Sequence, residues 1–368
     1  MLESNLSRVQ WAFRFLLTAM LATWLLSNKV WMTDRNFPMV PVLDFIPPLP
    51  SPVDYIFYCV LIILTIYQIL YIENKNTKIA LIVLFAFLML GDQMRWQPYN
   101  VQFFLMVNGL FFFPKFTDGI LNTFRALVIV FFIMTGVQEL NAVFQQSVFP
   151  WLISPIATVL PMKMEASVLE GGYVFALLNL FAGIGLLFPK TRNVAVIVAI
   201  VISLFLFYSL SPMANDWNHA SLPYNVVTAA FAFVLFYKSE FDLKLVFWNP
   251  KFYYQSVVIA VFAIIPLLSF AGLYDRMQCF NAYSGKSLYA KIYVTEDLVD
   301  LLPDGVKRYV YRPPMGEPYL ETTYWSFNAL KVSPYSEKRV YEKLQEYVCS
   351  FSEGECSARL EIYTYNGR

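Results

Sequence analysis

The chain has 368 residues, 58% of them hydrophobic and only 14% charged, with a formal net charge of +1. Soluble domains carry roughly a quarter charged residues, so an ordinary globular protein is excluded, and the near-neutral balance argues against a nucleic-acid partner. Charge thickens from roughly a tenth of positions before Arg276 to roughly a quarter after it, which divides the chain into a lipid-like part, 1–275, and a water-like part, 276–368.

A helix that crosses the hydrocarbon core needs roughly 20 apolar residues, and about nine segments qualify or come close: 9–27, 53–72, 78–95, 98–113, 120–138, 168–188, 193–211, 222–238 and 254–274. The first begins soon after Met1-Leu2-Glu3-Ser4 with no small-residue cleavage site, which reads as a signal anchor. The third and fourth form one apolar stretch interrupted at Gly91-Asp92-Gln93-Met94-Arg95-Trp96-Gln97-Pro98. Proline removes a helix donor and disfavours helical backbone at the preceding residue. A tight turn between two short spans is therefore expected; a single kinked helix is the alternative and would invert everything downstream. Loop charge favours the turn. With the N-terminus inside, Arg8, Lys75, Lys78, Lys115, Arg125, Lys190, Arg192, Lys238, Lys244 and Lys251 fall in the cytoplasm. The other side receives mainly Lys29, Arg35, Arg95 and Lys163. This is the positive-inside asymmetry. It puts the C-terminal part outside, which in a diderm bacterium makes this an inner-membrane protein with a periplasmic domain.

Two outer loops are long. Residues 28–52 hold Phe37-Pro38, Val40-Pro41 and Ile46-Pro47-Pro48-Leu49-Pro50, a proline density that resists regular structure. Residues 142–167 include Phe149-Pro150-Trp151-Leu152-Ile153-Ser154-Pro155, too short between prolines to span, so an interfacial or re-entrant helix is expected.

Ionisable groups near spans are costly, about 2.5–3.5 kcal/mol on insertion scales, and mark candidate sites. Asp92 and Arg95 are one helical turn apart and are expected to pair, either as a structural clasp on the turn or as part of a site. Glu139 ends the fifth span in Thr135-Gly136-Val137-Gln138-Glu139-Leu140-Asn141; it either caps the helix at the interface or serves a site. Glu165 and Glu170 flank the start of the sixth span. Asp216, Trp217, Asn218 and His219 lie in the outer loop before the eighth. The shared outer depth suggests that Asp92, Arg95, Glu139, Glu170 and His219 converge around one cavity, with Glu139 and His219 as chemical groups and Gln138, Trp217 and Asn218 beside the ligand. His219 is the only histidine, so a His-rich metal site is excluded, and a hydrogen-bonding role competes with a chemical one. No phosphate loop, Gly-x-Ser-x-Gly or His-Glu-x-x-His motif is present.

Several segments form an ordered series: Asp92-Gln93-Met94-Arg95-Trp96-Gln97-Pro98-Tyr99, Gly136-Val137-Gln138-Glu139-Leu140-Asn141, Phe149-Pro150-Trp151-Leu152, Gly183-Ile184-Gly185-Leu186-Leu187-Phe188-Pro189-Lys190-Thr191-Arg192, and Asp216-Trp217-Asn218 with Leu222-Pro223-Tyr224-Asn225. The series resembles bacterial membrane proteins of the horizontally transferred transmembrane (HTTM) type. These are DoxX-like relatives of the vitamin K-dependent gamma-carboxylase, and the likeness covers roughly residues 8–275. The resemblance implies quinol-linked chemistry, in which a lysine-activated hydroquinone is oxygenated and the strong base so formed deprotonates a glutamate. The family lysines sit in a Gly-x-Lys-Lys-Leu-Asp-like motif; here Gln138 and Glu139 replace them. That puts carboxylase activity in doubt and leaves Glu139 as a group for exchanging protons with a quinone head group. No cofactor follows from the residues themselves.

Beyond Leu273 the chain turns polar. Strands are expected at 287–294, 308–311, 319–322 and 359–365, a short helix at 296–302, a turn at Pro313-Pro314-Met315-Gly316, and an amphipathic helix at 337–350 with Val340, Leu344, Tyr347 and Val348 on one side. Cys349 and Cys356 flank a Ser/Glu/Gly loop and are expected to pair in an oxidising compartment, with free thiols as the alternative. Cys59 reads as a packing residue in a span. The fold class is thus an all-α polytopic membrane helix bundle followed by a small α+β soluble domain that packs on it. Three functions remain open. The first is an HTTM-like protein with a polar cavity for a quinone-like or lipid ligand. The second is a non-catalytic scaffold that presents the periplasmic domain to an envelope protein partner. The third is a transporter, disfavoured because no internal repeat is found.

Overall fold

The computed structural model describes residues 4–112, 115–281, 283–352 and 354–364. The side chain of Lys163, Met1–Glu3 of the expected anchor and Tyr365 of the expected last strand lie outside the described residues.

Helices dominate as far as Ala271. In chain order they are α1 (Asn5–Leu26), α2 (Val53–Leu70), α3 (Lys75–Leu90), α4 (Pro98–Phe112), α5 (Thr117–Glu139), α6 (Phe149–Ala157), α7 (Met162–Leu169), α8 (Gly172–Leu187), α9 (Arg192–Leu210), α10 (Leu222–Phe236), α11 (Leu243–Phe247) and α12 (Tyr253–Ile259). The last continues as a π segment, Ala260–Ile264, and a 3-10 segment to Ala271. Among the described residues, 6 helices are long and apolar enough to cross a membrane: α1, α2, α5, α9, α10 with its 3-10 lead-in, and Tyr253–Ala271. The α8 helix is apolar but has 16 residues, as α3 has 16 and α4 has 15, so three of the nine expected spans fall short of the roughly 20 residues a crossing helix needs. The tight turn before Pro98 is present. There α3 stops at Leu90, Asp92 accepts from the amide of Met94, and α4 starts on the proline. The proline-rich loop 142–167 folds as two short helices, α6 and α7, after a π turn at Phe144–Val148.

The α5 helix is the axis of the bundle, 78% buried over its apolar window, whereas α2 and Tyr253–Ala271 are 28% and 22% buried and present most of their surface outward. Two glycines let α8 lie directly on α5. A Cβ at Gly136 would meet Ala176 O and Leu180 N at 2.8 Å, and one at Gly183 would meet Ile133 N at 2.9 Å. Small residues at such crossings are how apolar helices approach closely without a hydrophobic drive between them. At the opposite end from Glu139, buried arginines close helix C-termini. Arg8 donates to Val234 O, Arg125 to Leu235 O and Arg192 to Leu186 O, with the guanidiniums of Arg125 and Arg192 against the ring of Phe241. Orphan carbonyls and the negative helix end both favour cations there. Cys59 is exposed on the outer face of α2, which corrects its reading as a packing residue.

The tail holds β1 (Leu288–Tyr293), α13 (Glu296–Leu301), α14 (Asp304–Lys307), β2 (Val310–Tyr311), β3 (Tyr319–Glu321), α15 (Thr322–Leu330), α16 (Lys338–Cys349) and β4 (Arg359–Thr364). They form an antiparallel sheet in the order β2-β3-β1-β4. Alternation along β1 turns Ala290 and Ile292 inward against Val340, Leu344 and Val348 of α16. Helix α15 had no forecast: Thr322, Thr323, Tyr324 and Trp325 favour strands, but burial of Trp325 and Phe327 outweighs that preference. Cys349 and Cys356 are joined by a disulfide.

The tail docks on the membrane half. The Trp325 indole donates to Asn36 O at 2.6 Å and packs on Phe37, Gln97 donates to Ser333 O at 3.0 Å, and Arg339 pairs with Asp275.

Candidate functional site

On the tail side the helices enclose a cavity of about 90 Å³. Its walls are aromatic: Tyr99 from α4, Phe131 from α5, Tyr224 from α10, and Phe280 and Tyr283 from the segment that leads into the tail. Its polar groups include Glu139, Gln97, Asn218, Ser221, Asn225 and Ser284. The site is therefore built by the membrane helices and closed by Met277, Phe280, Tyr283 and Ser284.

Glu139 is buried at the last turn of α5. The close α5–α8 crossing at Gly136 brings Asn179 beside it, and Asn179 Nδ2 donates to Glu139 Oε2 at 2.9 Å. Glu139 makes no ion pair among the described residues. Tyr224 donates to Gln102 Oε1 at 2.6 Å, and Asn218 Nδ2 donates to Tyr283 Oη at 2.9 Å. Asn218 holds φ at +47°, a left-handed backbone that asparagine tolerates better than most residues. Among the described residues, Gln97 Oε1 and Asn218 Oδ1 at the cavity, and Asn179 Oδ1 on the amide that holds Glu139, are buried oxygens with no hydrogen-bond partner. All three are acceptors. Buried acceptors left unpaired cost roughly 1–3 kcal/mol each, so the arrangement favours occupants that bring O–H or N–H donors.

Of the residues singled out by sequence, Glu139 and Asn218 line this cavity; the others lie elsewhere. Asp92 and Arg95 do not pair with each other, which corrects the expected clasp. Asp92 sits 2.7 Å from Arg35, and both side chains are almost fully buried. Arg35 directs its hydrogens to Val30 O, Phe37 O and Pro38 O, so its contact with Asp92 is ionic rather than an aligned hydrogen bond. Arg95 instead donates to Val30 O and Leu88 O and lies over the Trp31 ring. The helical spacing rule fails here because the backbone at 92 is extended. Gln138 turns away from the cavity, donating to Cys279 O at 3.3 Å and accepting from Lys286 Nζ at 3.0 Å. Burial lowers the pKa of Lys286. Glu170 is exposed, and its carbonyl accepts from Gln145. His219 faces Asp216 at 2.6 Å at the protein surface, and Trp217 packs between Trp151 and Phe327.

Sequence reasoning missed Asn179, Tyr283 and Lys286 as neighbours of this region. A lone amide in an apolar helix was the available signal for Asn179; nothing local marked the other two. Among the described residues no group of three or more His, Cys, Asp or Glu side chains is placed to hold a metal ion. No family model, curated protein or solved structure matches this chain.

Proposed function

We propose that the chain is an HTTM-type membrane protein whose tail-side cavity binds a quinol-like ligand, an aromatic ring carrying hydroxyl donors, with Glu139 as the group that exchanges a proton with it. The observation that carries this reading is the pair of acceptors without a partner among the described residues, Gln97 Oε1 and Asn218 Oδ1, at an aromatic-walled cavity that the buried carboxylate of Glu139 also lines. Ring faces suit the walls, and hydroxyl groups suit the acceptors. Gln138 and Glu139 stand where the resemblance places lysines, so the reading is binding with proton exchange rather than carboxylation. The orientation that fits the loop charges has this face and the tail on the periplasmic side of a bacterial inner membrane.

The test is a titration of detergent-purified protein with a short-tailed benzoquinol and its oxidised benzoquinone, followed by tryptophan fluorescence. The quinol is expected to bind more tightly than the quinone, which brings only acceptors, and Glu139→Gln is expected to weaken quinol binding about tenfold, the scale of one charge-assisted hydrogen bond. Equal affinity for the two forms, together with an unaffected Glu139→Gln, sinks the reading and leaves the scaffold, in which the docked tail meets an envelope protein.

A further inference from the structure

A second and larger cavity, about 320 Å³, lies outside the site just described. It sits between α4 and the last helix. Near the far end these two helices touch: the Tyr254 hydroxyl donates to Leu105 O, and its ring fills the space over Gly109. Toward the tail they part, leaving Val101 and Val261 on facing walls with Trp96 alongside. Val261 belongs to the π segment Ala260–Ile264, a local widening of the helix of the kind that recurs at functional sites. It lies roughly 15 Å along the helix from Ala271, so the slot reaches well into the apolar layer. The helix that forms this wall is the least buried of the long helices, so the slot borders lipid.

The roof has the opposite character. Arg339 donates to both oxygens of Asp275, at 2.8 and 2.5 Å, and through Nε to Gln93 at 2.9 Å. The pair is not sealed: the two side chains are 51% and 27% exposed. Tyr335 and Gln278 complete the roof. A charged pair of both signs above an apolar slot matches an amphiphile whose head group also carries both signs. A purely anionic head could place its phosphate on Arg339, but it would carry no cation of its own to face Asp275.

We propose that this slot holds one phospholipid with a zwitterionic phosphoethanolamine-type head group. One of its acyl chains lies between Val101 and Val261, its phosphate meets Arg339, and its ammonium meets Asp275. The site is separate from the Glu139 cavity. Adjacent residues face opposite ways, Trp96 and Gln278 to the slot, Gln97 and Met277 to the inner cavity, and Gln278 Nε2 donates to Trp96 O across the partition.

Full-length protein reconstituted in nanodiscs of equal phosphatidylethanolamine and phosphatidylglycerol, then released into mild detergent for native mass spectrometry, tests this. One retained phosphatidylethanolamine per chain is expected. It should be lost in Val261→Trp, which fills the slot from one wall, and in Val101→Phe, which fills it from the other, both at unchanged melting temperature. Asp275→Asn should shift retention toward phosphatidylglycerol, and Glu139→Gln should retain lipid as the wild type does. The proposal is overturned if the two lipids are retained equally by the wild type, or if both slot-filling variants fold and keep the lipid. It is also overturned if inorganic phosphate binds the wild type and Val261→Trp alike while no lipid is retained, since the roof alone would then be an anion site.

Discussion

Asp92 and Arg35 lock the proline-rich loop onto the turn between α3 and α4, and breaking that pair offers a sharp test of the fold. The charges are 2.7 Å apart, with side chains 0% and 1% exposed, so solvent screens them little. Removing one partner of a buried pair strands the other, at a cost of about 3–5 kcal/mol. Asp92→Asn should fall near the lower end, because the amide oxygen can still accept from the backbone at Val40 and Met94, as Asp92 Oδ1 does now. Arg35→Gln should cost a similar amount, since three carbonyls lose their donor. The double variant removes both charges together, so its loss should be less than the sum, with a coupling of about 2 kcal/mol. Arg95→Gln is the control. It loses bonds to Val30 O and Leu88 O, about 1.5–3 kcal/mol, but should couple to Asp92 much less. Reversible unfolding in mixed micelles of sodium dodecyl sulfate and a mild detergent gives the four free energies of each cycle. A larger coupling of Asp92 to Arg95 than to Arg35 would refute the structural assignment and restore the pairing that helical spacing suggested.

Three further outcomes are expected, beside the quinol titration. Reduction of the Cys349–Cys356 bond, or Cys356→Ser, should destabilise the tail by about 2.5 kcal/mol in the chain-entropy model, measured as a lower melting transition of the tail. Trp325→Ala should cost about 3–5 kcal/mol and expose the segment around Asn36 and Phe37 to hydrogen exchange, because the indole is fully buried between the two halves. Tail docking should weaken in acid below about pH 4, and Glu337→Gln should raise the melting temperature near neutral pH.

Periodicity and composition made the elements legible where one physical term dominates. Long apolar runs announced the spans, Pro98 fixed the turn before α4, and alternation found β1 and β4. Legibility failed where long-range packing overrides local preference. Helix α15 forms around Trp325, whose partner Asn36 is 289 residues away, and no local pattern reports that. Asp92 was recognised as costly in its setting, but its partner came from another loop rather than the next turn. For the candidate site, Glu139 and Asn218 were readable as polar groups beside spans. Asn179 needed the α5–α8 crossing, and Tyr283 needed the path of the chain into the tail.

That path joins the two halves chemically at Asp275, and the joint should respond to pH in two opposite ways. Burial would raise the Asp275 pKa, but hydrogen bonds from Arg339 and Tyr335 and the Arg339 charge outweigh it, so the folded value lies below the ordinary 3.8. A depressed carboxylate contributes stability that is full above the unfolded pKa and is lost as pH falls through the folded one. Glu337 is the reverse. Burial, helped by the neighbouring Asp275 charge, raises it above the ordinary 4.5, more than the Arg276 amide and the charges of Arg339 and Arg276 lower it. Its contribution is present below 4.5 and is lost as pH rises through the folded value. Docking should therefore be firmest around pH 4, with Asp275 limiting it on the acid side and Glu337 eroding it on the neutral side. Asp275→Asn should remove the acid limb, and Glu337→Gln the neutral one, since a glutamine oxygen still accepts from the Arg276 amide without a charge to bury. Both groups keep substantial solvent contact, so the shifts in melting temperature should be small but opposite in sign at pH 7, a pattern that loss of packing alone would not produce.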